Sequence, residues 1–170
     1  MKPDSCRHII VMGVTASGKS KVAEALANEL GVEMIEGDDH HPPANVEKMA
    51  AGIPLTDEDR RPWLETLARL VGEHHEQNES TVMACSALRR TYRDVLRSTV
   101  PPSESFVIEL HADADTLRSR LEKRKGHFMP ASLLESQLAT LEHLQDDERG
   151  VILDATRPLD VVIADAVGRT

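Results

Sequence analysis

Eight consecutive residues, Gly13, Val14, Thr15, Ala16, Ser17, Gly18, Lys19 and Ser20, satisfy the pattern G-x-x-x-x-G-K-[ST]. Each residue type has a task that phosphate chemistry sets. Successive backbone N–H groups can cradle an anion, and Gly13 and Gly18 permit the tight path. Lys19 can carry a cation to the β- and γ-phosphates, and the Ser20 hydroxyl can coordinate Mg²⁺. The octapeptide follows the β-branched run His8–Met12 and opens a segment, Lys19 to Leu30, whose apolar residues recur on one helical face. The positive end of that helix would face the same anion. A dinucleotide-binding turn would show G-x-G-x-x-G here, whereas these glycines are five apart. The reading is a nucleoside triphosphate site made by residues 13–20.

A second reactive patch, Gly37–His41 (GDDHH), closes the next strand-like run. The carboxyl ends of parallel strands line the ligand crevice, so this patch belongs near the phosphate loop. Asp38, nearest the strand end, could accept a hydrogen bond from an acceptor hydroxyl or hold a water on Mg²⁺. Asp39 and His40 read as a solvated turn. A transition-metal site drawn from His40, His41, His74 and His75 is a further possibility. Hard oxygen donors beside a triphosphate favour Mg²⁺ instead, and His74 and His75 read as the exposed end of a helix. Cys85, in an apolar run, reads as a small buried hydrophobe.

Cations are concentrated locally. Residues 118–125 (RSRLEKRK) hold Arg118, Arg120, Lys123, Arg124 and Lys125, followed by Gly126. This composition suits a mobile lid at about 120–130, with Arg120 and Arg124 on one face for phosphate contact. A second cluster, Arg89, Arg90 and Arg93, follows the third strand-like run, and Arg60 and Arg61 begin a long helix. Arginines at crevice positions suit an acidic acceptor, although solvated helix faces would use them equally.

The elements that must position these groups alternate strand and helix. Strand candidates are His8–Met12, Val32–Ile35, Thr81–Cys85, Ser105–Leu110 and Val151–Leu153. Helical patterns cover Lys19–Leu30, Ala44–Ala51, Asp57 to about His75, Leu88–Arg97, Asp113–Lys125, Met129–Leu144 and the stretch from Leu159. Asp57 is expected to cap the third helix. The pattern implies a single α/β domain over 1–170 with a parallel sheet between helical layers. The chain is 170 residues long and 40% apolar, with 20 Lys and Arg against 29 Asp and Glu, a net charge of −9. That balance argues against nucleic-acid binding, and the two cysteines and the absence of any long apolar run point to a cytoplasmic, non-membrane protein. GTPase base-reading N-K-x-D is absent, and the lone D-x-x-G, Asp147–Gly150, reads as chance. What remains is a small ATP-dependent phosphotransferase whose acceptor the residues leave open: a sugar acid, shikimate or a nucleoside monophosphate.

The stretches GVTASGKS (13–20), EGDDHHPPANVEKMAAGIPLTDEDRRPWL (36–64), CSALRRTYRDVLR (85–97) and RLEKRKGHFMPASLLESQLATLE (120–142) resemble the gluconate kinases of the thermoresistant type, within the shikimate-kinase-like P-loop kinases. The resemblance implies a five-stranded parallel sheet in the order 2-3-1-4-5. It implies transfer of phosphate from ATP to the 6-hydroxyl of D-gluconate, with Mg²⁺, and a homodimer. Carried over residue by residue, Lys19, Asp38 and Arg124 are catalytic, and Ser20 and Asp38 are metal-binding. His41, Lys48, Arg60, Arg89 and His127, with Asp38, contact gluconate. Arg120 and Arg124 contact the nucleotide, whose adenine lies near Ala155–Pro158. Ala16 stands where relatives carry glycine, so its φ is expected to be negative.

Overall fold

The computed structural model describes residues 6–124 and 131–170. Five strands, β1 (His8–Met12), β2 (Glu33–Glu36), β3 (Thr81–Ala84), β4 (Ser105–His111) and β5 (Gly150–Asp154), form one sheet in the order β2-β3-β1-β4-β5, with every pairing parallel. β1 and β3 are buried along their whole lengths, which is why they read as unbroken apolar runs and not as alternating ones. In register, Ile10 sits between Met83 of β3 and Val107 of β4. The carboxyl ends of β1, β2 and β3 therefore finish side by side, and the phosphate loop and the Gly37–His40 turn leave from adjacent points.

Among the described residues, seven α-helices accompany the sheet: α1 (Lys19–Leu30), α2 (Pro43–Ala50), α3 (Asp57–Glu76), α4 (Arg90–Arg97), α5 (Ala114–Lys123), α6 (Ala131–Thr140) and α7 (Leu159–Arg169). α1 presents Val22, Ala23, Leu26 and Ala27 to the core and ends at Gly31, whose φ of 67° closes it. α3 contributes Trp63, Leu64, Leu67 and Val71. Most boundaries shift by a residue or two from the sequence pattern, and two departures have a clear physical reason. Thr56, not Asp57, caps α3, because Thr56 and Asp59 exchange reciprocal bonds in a capping box. The expected helix through Leu144 stops at Thr140. Beyond it the backbone donors are spent elsewhere: Glu142 N–H on Leu88 O and Leu144 N–H on the Glu109 carboxylate.

Candidate active site

At the phosphate loop, Gly13 takes φ 154°, and a Cβ there would lie 2.6 Å from Ser17 Oγ and 3.0 Å from Leu110 O. No other residue fits without displacing its neighbours. Gly18, φ 91°, turns the chain into α1. Ala16 departs from expectation: its φ is +66°, in the left-handed region. An alanine there carries strain on the order of 1–2 kcal/mol, which the buried setting of its methyl group holds in place. Ser17 Oγ is buried and has no hydrogen-bond partner among the described residues, a polar atom ready for an anion.

On one side of the loop lies a cavity of about 410 Å³ bordered by Ser17, Gly18, Arg120, Arg124, Arg157 and Val162. Arg120 reaches across it, donating to Ala155 O at 2.6 Å and Ala16 O at 3.4 Å. Arg124, just past α5, is exposed at the rim. Ala155 also lines this cavity, as the adenine expectation for Ala155–Pro158 would place it.

On the other side is a cavity of about 280 Å³ whose polar lining includes Thr15, Lys19, Asp38, His41, Arg60 and Gln137. Several contacts hold Asp38 at its mouth. Gly37 packs so closely on β3 that a Cβ would stand 2.5 Å from Ala84 O. Its carbonyl accepts the Trp63 indole N–H at 2.7 Å. His41 stacks on Trp63 at 4.0 Å and 18°, accepts or donates at Nδ1 with Asn45, and brings Nε2 to 4.0 Å from the Asp38 carboxylate. Burial pulls the His41 pKa below its ordinary value, with Asp38 opposing the shift. Burial likewise lowers the Lys19 ammonium, again against Asp38, while its Nζ donates to Val14 O at 3.2 Å. Arg60, buried, donates to Leu55 O and to Tyr92 OH, and Tyr92 donates to Asp57.

Other expected site residues lie apart from this cavity's lining. Lys48 is paired with Asp59 at 2.8 Å, which helps hold that carboxyl at about 2. Arg89 lies 3.6 Å from Asp57. His127, and Lys125–Pro130 of the expected lid, fall outside the described residues. Arg93 is no crevice residue: it is fully buried and forms a two-point pair with Glu148 at 2.7 and 2.9 Å. Arg90 is held by Asp147, the residue that begins the chance D-x-x-G. His74 and His75 are half-buried instead of exposed, and His75 meets His8 and Glu104. Burial pushes the Cys85 thiol up to about 12, in keeping with an inert core residue.

Two residues that the sequence reading did not assign also belong here. The Glu36 carboxylate, at the end of β2, accepts from Ser20 Oγ at 2.5 Å and from Asp38 N–H. Its place beside the Gly37 turn is the signal that could have found it. Gln137 of α6 accepts the Thr15 N–H at 2.7 Å from 122 residues away, a contact no local pattern announces.

This geometry has close counterparts. Residues 9–144 match a family model described as an AAA domain. A gluconokinase of Gluconobacter oxydans is 48% identical over 163 residues, spanning 95% of this chain and 89% of the relative. The chain belongs to the gluconokinase family of P-loop kinases. Among solved structures, a gluconokinase from Sinorhizobium meliloti superposes with TM-score 0.84 at 44% identity, over 98% of this chain and 92% of that one. A sugar kinase from Janibacter sp. HTCC2649 gives 0.91 at 49% identity, over 96% and 94%. Gluconokinase kinship and the sheet order agree with the resemblance drawn from the motifs.

Proposed function

We propose that the chain transfers the γ-phosphoryl group of ATP to the 6-hydroxyl of D-gluconate, giving 6-phospho-D-gluconate and ADP. The observation that carries this reading is the shared cavity in which Lys19 of the phosphate loop and Asp38 of the β2 turn face the same space, with Arg60 and His41 behind them. Names of the curated relatives supply gluconate as the acceptor.

Residues 13–20 would wrap the triphosphate with backbone amides, and Lys19 would sit between the β- and γ-phosphates. Asp38 would align the 6-hydroxyl and take its proton late, because phosphoryl transfer is largely dissociative. Arg60, and His41 braced on Trp63, would orient the sugar acid. Arg120 and Arg124 would offset charge on the nucleotide. Lys48, Arg89 and His127 complete the proposed substrate set; Lys48 and Arg89 already face carboxylates, so a gluconate contact there exchanges one anion for another. The Ser20 hydroxyl in contact with the Glu36 carboxylate, and the Asp38 carboxylate two residues on, are hard oxygen donors of the kind Mg²⁺ prefers. Ser20 and Asp38 would hold the ion, which when bound spreads the charge of the β- and γ-phosphates. A closing lid at 120–130, a homodimer and a cytoplasmic location belong to the same proposal; no helix among the described residues is long and apolar enough to cross a membrane.

The test is ADP release with magnesium and ATP over a panel of acceptors: D-gluconate, shikimate, a nucleoside monophosphate and none. Gluconate alone should raise turnover well above the no-acceptor background. Turnover with shikimate and none with gluconate would overturn the assignment.

A further inference from the structure

Glu109 and His111 lie two residues apart on β4, so the pleat sends both side chains to the same face of the sheet. His143, in the irregular segment after α6, comes down onto them. Its Nδ1–H donates to Glu109 Oε1 at 2.5 Å, and its ring centroid lies 5.5 Å from that of His111. Glu109 Oε2 accepts the Leu144 N–H at 2.7 Å. One ligand atom from each of the three residues falls within 4.8 Å of the others, and among the described residues this is the one group of His, Cys, Asp or Glu that meets that condition. The histidines expected as a possible metal cluster do not: His41 is stacked on Trp63, and His75 meets His8.

A buried carboxylate needs partners, and Glu109 is 1% exposed. His143 and Leu144 would satisfy that need by themselves. They do not account for His111, an exposed imidazole brought to the same point with no hydrogen bond from its ring among the described residues. Two imidazole nitrogens and one carboxylate oxygen are the donor set of a Zn²⁺-class ion with positions left for water; Mg²⁺ would want oxygen throughout. The side chain of His143 is 56% exposed and His111 is exposed as well, so both rings can turn inward while the buried Glu109 stays fixed. Asp154, the register partner of His111 on β5, adds negative charge beside them.

We infer that Glu109, His111 and His143 form a binding site for one divalent transition-metal ion, separate from the nucleotide site. The ion takes the place of the hydrogen between His143 Nδ1 and Glu109, and the neutral imidazole keeps its one N–H by carrying it on Nε2. It would fasten β4 to the segment directly following α6, the helix whose Gln137 holds the Thr15 N–H.

The experiment titrates the untagged full-length chain with Zn²⁺ and with Co²⁺ in excess Mg²⁺, which keeps the nucleotide site occupied by the harder ion. Expected are one saturable ion per chain, visible Co²⁺ absorption of a low-coordinate site, and a higher Tm with Zn²⁺. His111→Ala removes an exposed ring and leaves the contact of His143 with the buried Glu109 intact, so it tests the site without threatening the fold. It should weaken Zn²⁺ binding at least about tenfold and abolish the Co²⁺ spectrum. His74→Ala should change neither. Absence of saturable binding, or equal affinity in wild type and His111→Ala, would overturn the inference.

Discussion

The two cavities that meet at the phosphate loop are made in opposite ways. The cavity proposed for the nucleotide adjoins Ser17 and Gly18 of the loop, the start of α1 and the Ala155 carbonyl that Arg120 grips. The cavity proposed for the acceptor rests on side chains from separate segments, namely Asp38 and His41 from the β2 turn region, Arg60 from α3 and Gln137 from α6. A main-chain site tolerates side-chain variety but not a Cβ at Gly13. A side-chain site can be dismantled one residue at a time, and the proposed function puts specificity for the acceptor there.

Substitutions can sharpen that contrast. Asp38→Asn should lower kcat with gluconate by about 10²–10⁴-fold. Its KM for ATP should hold nearly constant, because the lost function is exercised on the acceptor side; steady-state kinetics over both substrates checks this. Next in size is an effect on folding. Glu148→Gln strands the buried Arg93 and should destabilise the chain by about 3–5 kcal/mol in urea unfolding. KM for both substrates should be unchanged at temperatures where the variant is folded, which would separate scaffold arginines from cavity arginines. Lys19→Ala should reduce kcat/KM by about 10²–10³-fold for every acceptor tried, since it acts at the phosphates. Gln137→Ala removes one hydrogen bond worth about 1 kcal/mol, so a severalfold loss in kcat/KM is expected; a loss as large as that of Asp38→Asn would erase the distinction between the cavities.

The smallest effect concerns pH and the scaffold. His8 is 2% exposed, and burial with the neighbouring His75 and His74 lowers its pKa to about 4. The unfolded chain, with a histidine pKa near 6.5, takes up that proton first, so stability should fall as pH drops from about 6.5 towards 4. Urea midpoints measured across that range should decline less steeply in His8→Phe. An equal slope in both would remove His8 from the account.

Legibility in the sequence followed the same division. The loop, its strand and its helix were readable because eight contiguous residues contain the whole device, and the alternation of elements yielded the parallel sheet. Asp38 was readable from its place at a strand end. Arg93 was not: an arginine in a basic cluster has the same local pattern whether it faces a ligand or Glu148, and only the return of residues 141–149 across α4 decides. Gln137 and the Glu109–His111–His143 group likewise depend on contacts between distant segments, α6 with the phosphate loop and residue 143 with β4. Ala16 was misjudged in φ because the loop's path, set by Gly13 and Gly18 on either side, overrides the residue's own preference.

Arg120 ties Ala16 O of the phosphate loop to Ala155 O, which lines the cavity beside that loop. One guanidinium thus works as a rivet between the segment proposed to receive the base and the loop proposed to receive the phosphates. Loosening it would shift both together, so adenosine and pyrophosphate, offered as separate fragments, would each register the same loss, and their affinities could not be treated as independent contributions to that of ATP.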